Sequence, residues 1–309
     1  MREMKHIPVL LEETLEALAV FPGGRYIDAT LGRAGHSKEI VARGGTVLGI
    51  DRDPQAIAEV AAMGIAGLEV VKGNHGDIAD LARERGWENV DGILLDLGVS
   101  SPQLDEAGRG FSFLREGPLD MRMDGTCGLR AGDIVNNYGA EELANLFREL
   151  GEEPRAKLLA RMIVEERAVK PFRTTLDLAG AIERRFPRRG SARHPATRVF
   201  QALRMAVNDE TGELERALEG GISLLAPGGR FAVITFESLT DRIVKRFFLD
   251  HAGREESLQQ GGARWRGKLP RARLVSRRAI AARESEVKSN PRSRSAKLRV
   301  IEIMKEGRE

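Results

Sequence analysis

Two short segments hold the residues best placed to do chemistry. The first is Asp28-Ala-Thr-Leu-Gly32-Arg-Ala-Gly35-His36-Ser37, with Asp51 nineteen residues beyond Gly32. Glycines let a backbone turn tightly and come close to a ligand. An acid at the end of the following strand accepts hydrogen bonds from both ribose hydroxyls of an adenosine cofactor. A dinucleotide site prefers G-x-G-x-x-G, with a helix start open to pyrophosphate. Here the loop reads G-R-A-G-H-S, and Asp28 sets a carboxylate beside it. A carboxylate repels pyrophosphate and suits the amino group of a methionine moiety. The segment therefore favours S-adenosyl-L-methionine over NAD. An NAD-dependent oxidoreductase and a glycine-rich turn without a ligand stand as the competing readings.

The second segment is Asp96-Leu-Gly98-Val-Ser100-Ser101-Pro102-Gln103-Leu-Asp105. Its position suits an amino-methyltransferase. An exocyclic base amine is a poor nucleophile, because its lone pair is delocalised into the ring. A carboxylate that accepts one N–H bond helps the nitrogen rehybridise and aim that lone pair at a methyl group. A sulfonium methyl is already activated, so alignment and desolvation supply most of the catalysis. Asp96 is the candidate catalytic residue, with a strand-end cap or a cofactor contact as the alternative. No H-E-x-x-H or Cys/His ligand set occurs, and no metal is expected.

Acids and glycines in these positions need strands that end where they begin, and the flanking pattern supplies them. Arg25–Thr30, Thr46–Asp51, Leu68–Lys72 and Asp91–Leu97 read as strands, the last with the continuous apolar run of a strand buried on both faces. Helical stretches lie between them: Leu11, Leu15 and Leu18 share a face, and Asp53-Pro54 opens a helix as N-cap and first-turn residue. Strands alternating with helices predict a parallel sheet covered by helices. From Asp105 to Asn208 no strand pattern occurs. Helical faces there include Leu143, Phe147 and Leu150, a helix that Pro154 can begin, a capping box from Thr174 to Asp177, and Phe200 with Leu203. The α/β pattern then resumes with a turn at Ala226–Gly229, a strand at Arg230–Phe236, a helix near Asp241–Leu249 and a closing strand at Leu298–Met304. The expected domains are residues 1–104 and 209–309 as two parts of one α/β domain, with a helical insertion domain at 105–208.

The chain of 309 residues, 41% hydrophobic, is long enough for a sizeable core. It has no apolar run of membrane-spanning length, and Met1–Lys5 does not read as a signal peptide. One cysteine, Cys127, precludes an internal disulfide and a cysteine-rich zinc site. A cytoplasmic protein without a membrane partner is expected. The net charge is +3, but Arg264–Arg299 holds thirteen Lys or Arg against two Glu, which leaves the remainder eight charges negative. Such asymmetry suggests a polyanionic partner, the alternative being a solvated, partly disordered basic stretch.

The sequence resembles the RsmH (MraW) family of bacterial 16S rRNA cytosine-N(4)-methyltransferases. The similarity lies in HIPVLLEE from His6, Asp28–Ser37, GIDRDPQAI from Gly49, GILLDLGVSSPQLD from Gly92, RGFSFLREGPLDMRMD from Arg109, HPATRVFQALR from His194, Leu225–Arg230, DRIVKR from Asp241 and NPRSRSAKLR from Asn290. These segments follow in order over nearly the whole chain. The resemblance implies an α/β fold with a class I (Rossmann-like) methyltransferase sheet and a helical insertion. It also implies methylation of the N(4) amine of a cytidine in the decoding region of 16S rRNA, within the small ribosomal subunit. It places cofactor contacts at Ala34, Gly35, His36, Asp51, Asp96 and Gln103. His75 falls where the family often has an aromatic beside the adenine, and an imidazole can stack there too. Other departures are Glu237 in place of a usual histidine, Leu150 in place of a tyrosine, and Ala34 in place of a glycine, which a negative φ would tolerate.

On the substrate side, Arg184, Arg185, Arg188, Arg189, Arg193 and Arg198 gather around His194. With the basic stretch they are candidate phosphate contacts. Asp120-Met-Arg122-Met-Asp124 is a candidate lining of the target pocket, or an ordinary loop packed through its methionines. The substrate-binding candidates are Arg122, Arg193, His194 and Arg198. Phe111 and Phe113 are candidate base-stacking groups or core residues. A non-catalytic RNA-binding factor on a retained cofactor fold, to which Glu237 gives weight, is a third reading, and small-molecule methylation a further one. A homodimer is compatible with the residues, none of which demands it.

Overall fold

Short apolar runs, three of the four ending in an acid, set the first part of the chain. In a computed structural model, which describes residues 8–99, 101–126, 128–188, 194–257 and 262–305, they form β1 (Arg25–Asp28), β2 (Thr46–Asp51), β3 (Leu68–Lys72) and β4 (Val90–Asp96). Helices α1 (Leu11–Leu18), α2 (Gly35–Ala42), α3 (Pro54–Ala62) and α4 (Ile78–Arg83) precede and connect them. Asp53 caps α3 by accepting from Gln55 N–H at 3.0 Å, with Pro54 in the first turn, as the sequence predicts.

The chain divides into two compact units, Met1–Gly98 with Gly212–Glu309, and Val99–Thr211. The second unit holds α5 (Ser101–Asp105), α6 (Ala131–Asn137), α7 (Ala140–Glu149), α8 (Ala156–Val169), α9 (Thr175–Arg185) and α10 (Thr197–Val207). Among its described residues the only strand-like pairing is a bridge between Pro118 and Thr174. Thr174 and Asp177 form the predicted capping box, each side chain accepting from the other's N–H at 3.1 Å. Leu143, Phe147, Leu159, Ile163, Leu178 and Leu203, all fully buried, are central to this unit's own core.

After α11 (Glu210–Leu224) the chain returns to the first unit's sheet with β5 (Leu225–Thr235), α12 (Ser238–His251), a β6–β7 hairpin (Arg254–Ser257 and Ala263–Arg266), β8 (Ala272–Leu274), β9 (Ile280–Ala281), α13 (Glu284–Ser289) and β10 (Lys297–Ile303). The strand order is β3-β2-β1-β4-β5-β10-β8, with β9 also on β10. Strands β1 to β5 run parallel, and β10 is antiparallel to β5. The order reverses between β1 and β4, so a crevice opens at their carboxyl ends, the usual ligand position of such sheets.

Alternate residues of the strands feed two cores. Ile27, Leu48, Ile93 and Leu95 face α4, α11 and α12 through Ile78, Leu218 and Phe248. Tyr26, Val47, Leu94 and Ile234 face α1 and α2 through Leu15, Leu18 and Ile40. Burying one such side chain stabilises by about 1.5–3 kcal/mol. Ala226–Gly229 is not a turn before a strand but a bulge within β5. Leu225 already pairs with Val90, and Arg230 pairs with Gly92, two residues on. Pro227 lacks an N–H and Gly228 has φ +87°, so the extra residues loop out while pairing holds on both sides.

Candidate active site

The loop after β1 is held by its neighbours. Leu31 N–H donates to Ile50 O at 2.9 Å, and Leu31 packs over Gly49, where a Cβ would lie 2.6 Å from Leu31 Cδ1. Gly35 opens α2 beneath Pro8, whose Cγ would be 2.5 Å from an added Cβ. Ala34, fully buried, corrects the sequence reading. Its φ is +59°, not negative, a left-handed conformation that burdens a Cβ by roughly 1–2 kcal/mol. The reason is geometric: the backbone must reverse between Gly32, with φ +50°, and the first turn of α2.

Three carboxylates converge where β1, β2 and β4 end. Asp28 is buried and accepts from Ser37 O–H at 2.7 Å and Thr30 N–H at 3.2 Å. Burial, opposed by these bonds and assisted by the charge of Asp51, pushes its pKa up to about 6. Asp51 accepts from Gly32 N–H at 2.8 Å and Asp53 N–H at 2.9 Å, and burial raises it as well. Two of its roughly four lone-pair sites remain for a ligand. Asp96 is fixed by its backbone N–H, which donates to Thr30 Oγ1 at 2.6 Å. Its carboxyl takes no hydrogen bond from any described residue and is pushed up to about 8 by burial, with the charge of Asp28 adding. The side chain is still 26% exposed, so water reaches it.

His36, on the first turn of α2, has Nε2 3.0 Å from Val9 O and Nδ1 3.9 Å from Asp96 Oδ2. His75 follows β3, in a segment tied to Asp51 by the Gly73 N–H, which donates to Asp51 O at 2.9 Å. Its Nε2 is buried without a hydrogen-bond partner, and burial, then Arg52 and Arg216, lowers its pKa to about 4, so the ring is neutral. Ala34, Gly35, His36, Asp51, His75 and Asp96 therefore belong to the first unit, all of them at or next to the carboxyl ends of its strands. Thr30 and Ser37, the partners of Asp96 and Asp28, lie in the segment Asp28–Ser37. Their types and positions were the only sequence signal for these roles.

Gln103 is buried on α5 of the second unit. Also in that unit, Arg122 forks onto Asp120, with Nε–Oδ1 2.8 Å and Nη2–Oδ2 2.9 Å. Burial works against the Asp120 charge, but these bonds hold its pKa below the ordinary carboxylate value. Asn208 pins the segment by accepting from Met123 N–H and donating to Met121 O, both at 2.8 Å. Nothing in the sequence signalled that partnership. His194 accepts from Ala196 N–H through Nδ1 at 3.1 Å and stacks on Phe113, with ring centres 4.7 Å apart. Arg198 is half-buried on α10, and Phe111 is a core residue. Arg193 and Arg189 lie outside the described residues.

The donor set discriminates between ligands. None of the three carboxylates forms an ion pair with a lysine or arginine among the described residues. An anionic pyrophosphate would meet three acids there, whereas a cation would relieve their mutual repulsion. Asp51 keeps lone pairs for a ribose diol. These residues fit S-adenosyl-L-methionine, which carries a sulfonium and an ammonium group. No group of three or more His, Cys, Asp or Glu suited to a metal occurs among the described residues, and no described helix is long and apolar enough to cross a membrane.

Sheet order and acid-lined crevice together define an S-adenosyl-L-methionine-dependent methyltransferase. The sequence profile of the MraW methylase family matches residues 3–304. The ribosomal RNA small subunit methyltransferase H of Deinococcus radiodurans is 49% identical over 297 residues, covering 96% of this chain and 89% of that protein. The proteins of the same name from Granulibacter bethesdensis and Methylococcus capsulatus are 47% and 48% identical, over 97% and 95% of this chain and 92% and 99% of theirs. The chain belongs to the MraW methylase family.

Proposed function

We propose that the protein methylates small-subunit ribosomal RNA, and that its target is the exocyclic N(4) amine of a cytidine in the decoding region of 16S rRNA. The names of the relatives support the substrate class. The observation that carries the chemistry is the Asp96 carboxyl: partly open to water, without a hydrogen bond and at the end of β4. It is placed to accept one N–H of an incoming amine.

S-adenosyl-L-methionine supplies a methyl group activated by the sulfonium charge. Asp51 takes the ribose hydroxyls on its remaining lone pairs. The loop from Gly32 to His36 and the neutral His75 would lie about the nucleoside end. Asp28 sets a negative field that favours a cationic ligand and, bonded to Ser37, shapes the loop. Asp96 as carboxylate orients the amine and receives its proton. Proton transfer of this kind contributes about 10²–10⁴-fold. An Asp96→Ala protein should lose at least a hundredfold in methyl transfer while keeping its fold.

On the RNA side the basic stretch narrows. Arg266, Lys268, Arg273, Arg283, Lys297 and Arg299 pair with acids of the fold. Arg264, Arg277, Arg278, Lys288 and Arg294 are exposed and carry no ion pair among the described residues. These five, with Arg122, Arg193, His194 and Arg198, are the phosphate- and substrate-contact candidates. Each phosphate contact removed should flatten the salt dependence of binding by about one unit of slope.

The test is transfer of labelled methyl from S-adenosyl-L-methionine to small ribosomal subunits lacking the modification, followed by nucleoside analysis. Label in N(4)-methylcytidine is the expected result. Label in another nucleoside would move the acceptor, and no label despite cofactor binding would overturn the proposal.

A further inference from the structure

We propose that Trp265, on the β6–β7 hairpin, is a platform on which an unpaired base of the RNA stacks. The inference rests on the RNA-methylation reading above and adds the base-stacking group that Phe111 and Phe113 do not supply. Phe111 belongs to a core, and Phe113 is flanked by the rings of His194 and Phe200, with centres 4.7 and 4.8 Å away.

The hairpin holds its indole in place without burying it. Among the described residues β6 and β7 pair only with each other, outside the eight-stranded sheet. Two strands alone form no core into which an indole could sink. The Trp265 ring is nonetheless fixed. Its Nε1–H donates to Lys268 O at 3.2 Å. Gly253 and Gly267 lie against it: a Cβ on Gly253 would be 2.5 Å from Trp265 Cε2, and one on Gly267 3.0 Å from Nε1. Only glycine lets the backbone come this close. The residue is half-buried, so part of the ring stays open. A ring whose rotamer is already set loses little conformational entropy when a base stacks on it.

Charge identifies the partner. From Arg254 to Arg271 the sequence has five Lys or Arg against two Glu. Glu256 pairs with Arg254 and Arg266, both at 2.9 Å, and Lys268 reaches Glu219 on α11 at 3.6 Å. Arg264, next to Trp265, is exposed and carries no ion pair among the described residues. The Arg271 guanidinium carbon stands 5.7 Å from the centre of the Trp265 ring. That is about 2 Å beyond plane-on-plane contact, so the indole face is not closed by it. An aromatic ring between arginines suits a single strand, whose phosphates meet the cations while a base meets the ring. Every base has a π face, so the contact tolerates sequence but needs an unpaired base. An acidic protein segment would satisfy the arginines and leave the ring without a planar partner.

Two measurements test this on the full chain. The sequence has two tryptophans, and Trp87 serves as the reference, being 9% exposed with its Nε1–H on Glu69. In protein labelled with 5-fluorotryptophan, the fluorine-19 NMR signal of Trp265 is assigned by its loss in Trp265→Phe. A single-stranded RNA oligonucleotide should move that signal and leave the Trp87 signal in place. Inorganic polyphosphate, which offers charge without bases, should move it less than half as far. No movement with RNA, or a shift with polyphosphate of half that size or more, would overturn the stacking. Movement with extracted small-subunit proteins and not with RNA would give the hairpin a protein partner and overturn it too. In the second measurement, Trp265→Ala should weaken oligonucleotide binding by at least about fivefold, with the salt dependence unchanged, and Trp265→Phe should stay within about threefold of wild type. Arg264→Ala should instead flatten the salt dependence. An alanine variant that binds like wild type, or a phenylalanine variant as weak as the alanine one, would overturn the inference. Neither measurement uses methyl transfer, so its failure is read separately from label in another nucleoside or no label at all.

Discussion

Asp96 and Asp241 belong to the same unit and face opposite electrostatic conditions. Asp96 ends β4 with no cation beside it, and its pKa is pushed up to about 8. Asp241, in the first turn of α12, accepts from Lys297 Nζ at 3.0 Å and from Arg299 Nε at 2.7 Å, both on β10. Desolvation works against its charge, but these two partners hold its pKa below the ordinary value. A neutralised acid fastens a helix to a strand. An acid left without a cation costs stability and persists where a ligand brings the missing charge.

The comparison breaks most visibly at Asp241. Asp241→Asn leaves Lys297 and Arg299 facing an uncharged amide, and we expect a loss of about 2 kcal/mol in urea unfolding at pH 7. This is a discounted value, because Lys297 is 46% exposed. A pKa lowered by folding gives stability that is present above the unfolded value near 4 and disappears as pH falls through the folded value. The gap between variant and wild type should therefore close as pH falls below the ordinary carboxylate range. S-adenosylhomocysteine affinity should not change. A gap that persisted in acid would mean that packing, not charge, is what Asp241 provides.

Asp96→Asn sharpens the contrast, because its sign is reversed. A carboxyl whose pKa is raised on folding binds its proton more tightly in the native state. Wild-type stability therefore declines as pH rises from about 4 to 8, and the amide avoids that loss. The ligand-free variant should be more stable than wild type by about 1 kcal/mol at pH 8, with water access to the side chain keeping the figure well below the full linkage value. The two proteins should unfold together at pH 4. A variant less stable than wild type at pH 8 would show that the Asp96 carboxylate is satisfied in the free protein.

These contrasts also mark what could be read without coordinates. Strands β1 to β4 were legible because each apolar run stops at an acid or a turn, and the caps at Asp53 and Thr174 because they are local hydrogen-bond patterns. The convergence of Asp28, Asp51 and Asp96 followed from strands that end on one edge. The partners of Asp241 were not legible, since they lie 56 and 58 residues away in sequence. For the same reason the basic stretch looked like a free surplus of charge, although six of its cations are matched to acids elsewhere in the fold. Strands of two to four residues, such as β6 to β9, are too short for alternation to register. The sign of φ at Ala34 depends on how the loop must reverse, which composition does not encode.

Ala34 supports the smallest of the tests, one that separates site from scaffold again. Ala34, within the cofactor loop, and Ala19, at the end of α1, have φ of +59° and +50°. Glycine removes the clash of the Cβ, worth roughly 1–2 kcal/mol, but adds about 0.5–1 kcal/mol of unfolded-chain entropy. The net gain at either position should be about 0.5 kcal/mol in thermal or urea unfolding. If strain in the loop only completes a turn, Ala34→Gly and Ala19→Gly will both leave S-adenosylhomocysteine affinity within twofold of wild type. If the alanine instead stiffens the loop that cradles the ligand, Ala34→Gly alone will weaken binding while still raising stability. That combination would place strain, like unneutralised charge, among the costs borne at the site and absent from the scaffold.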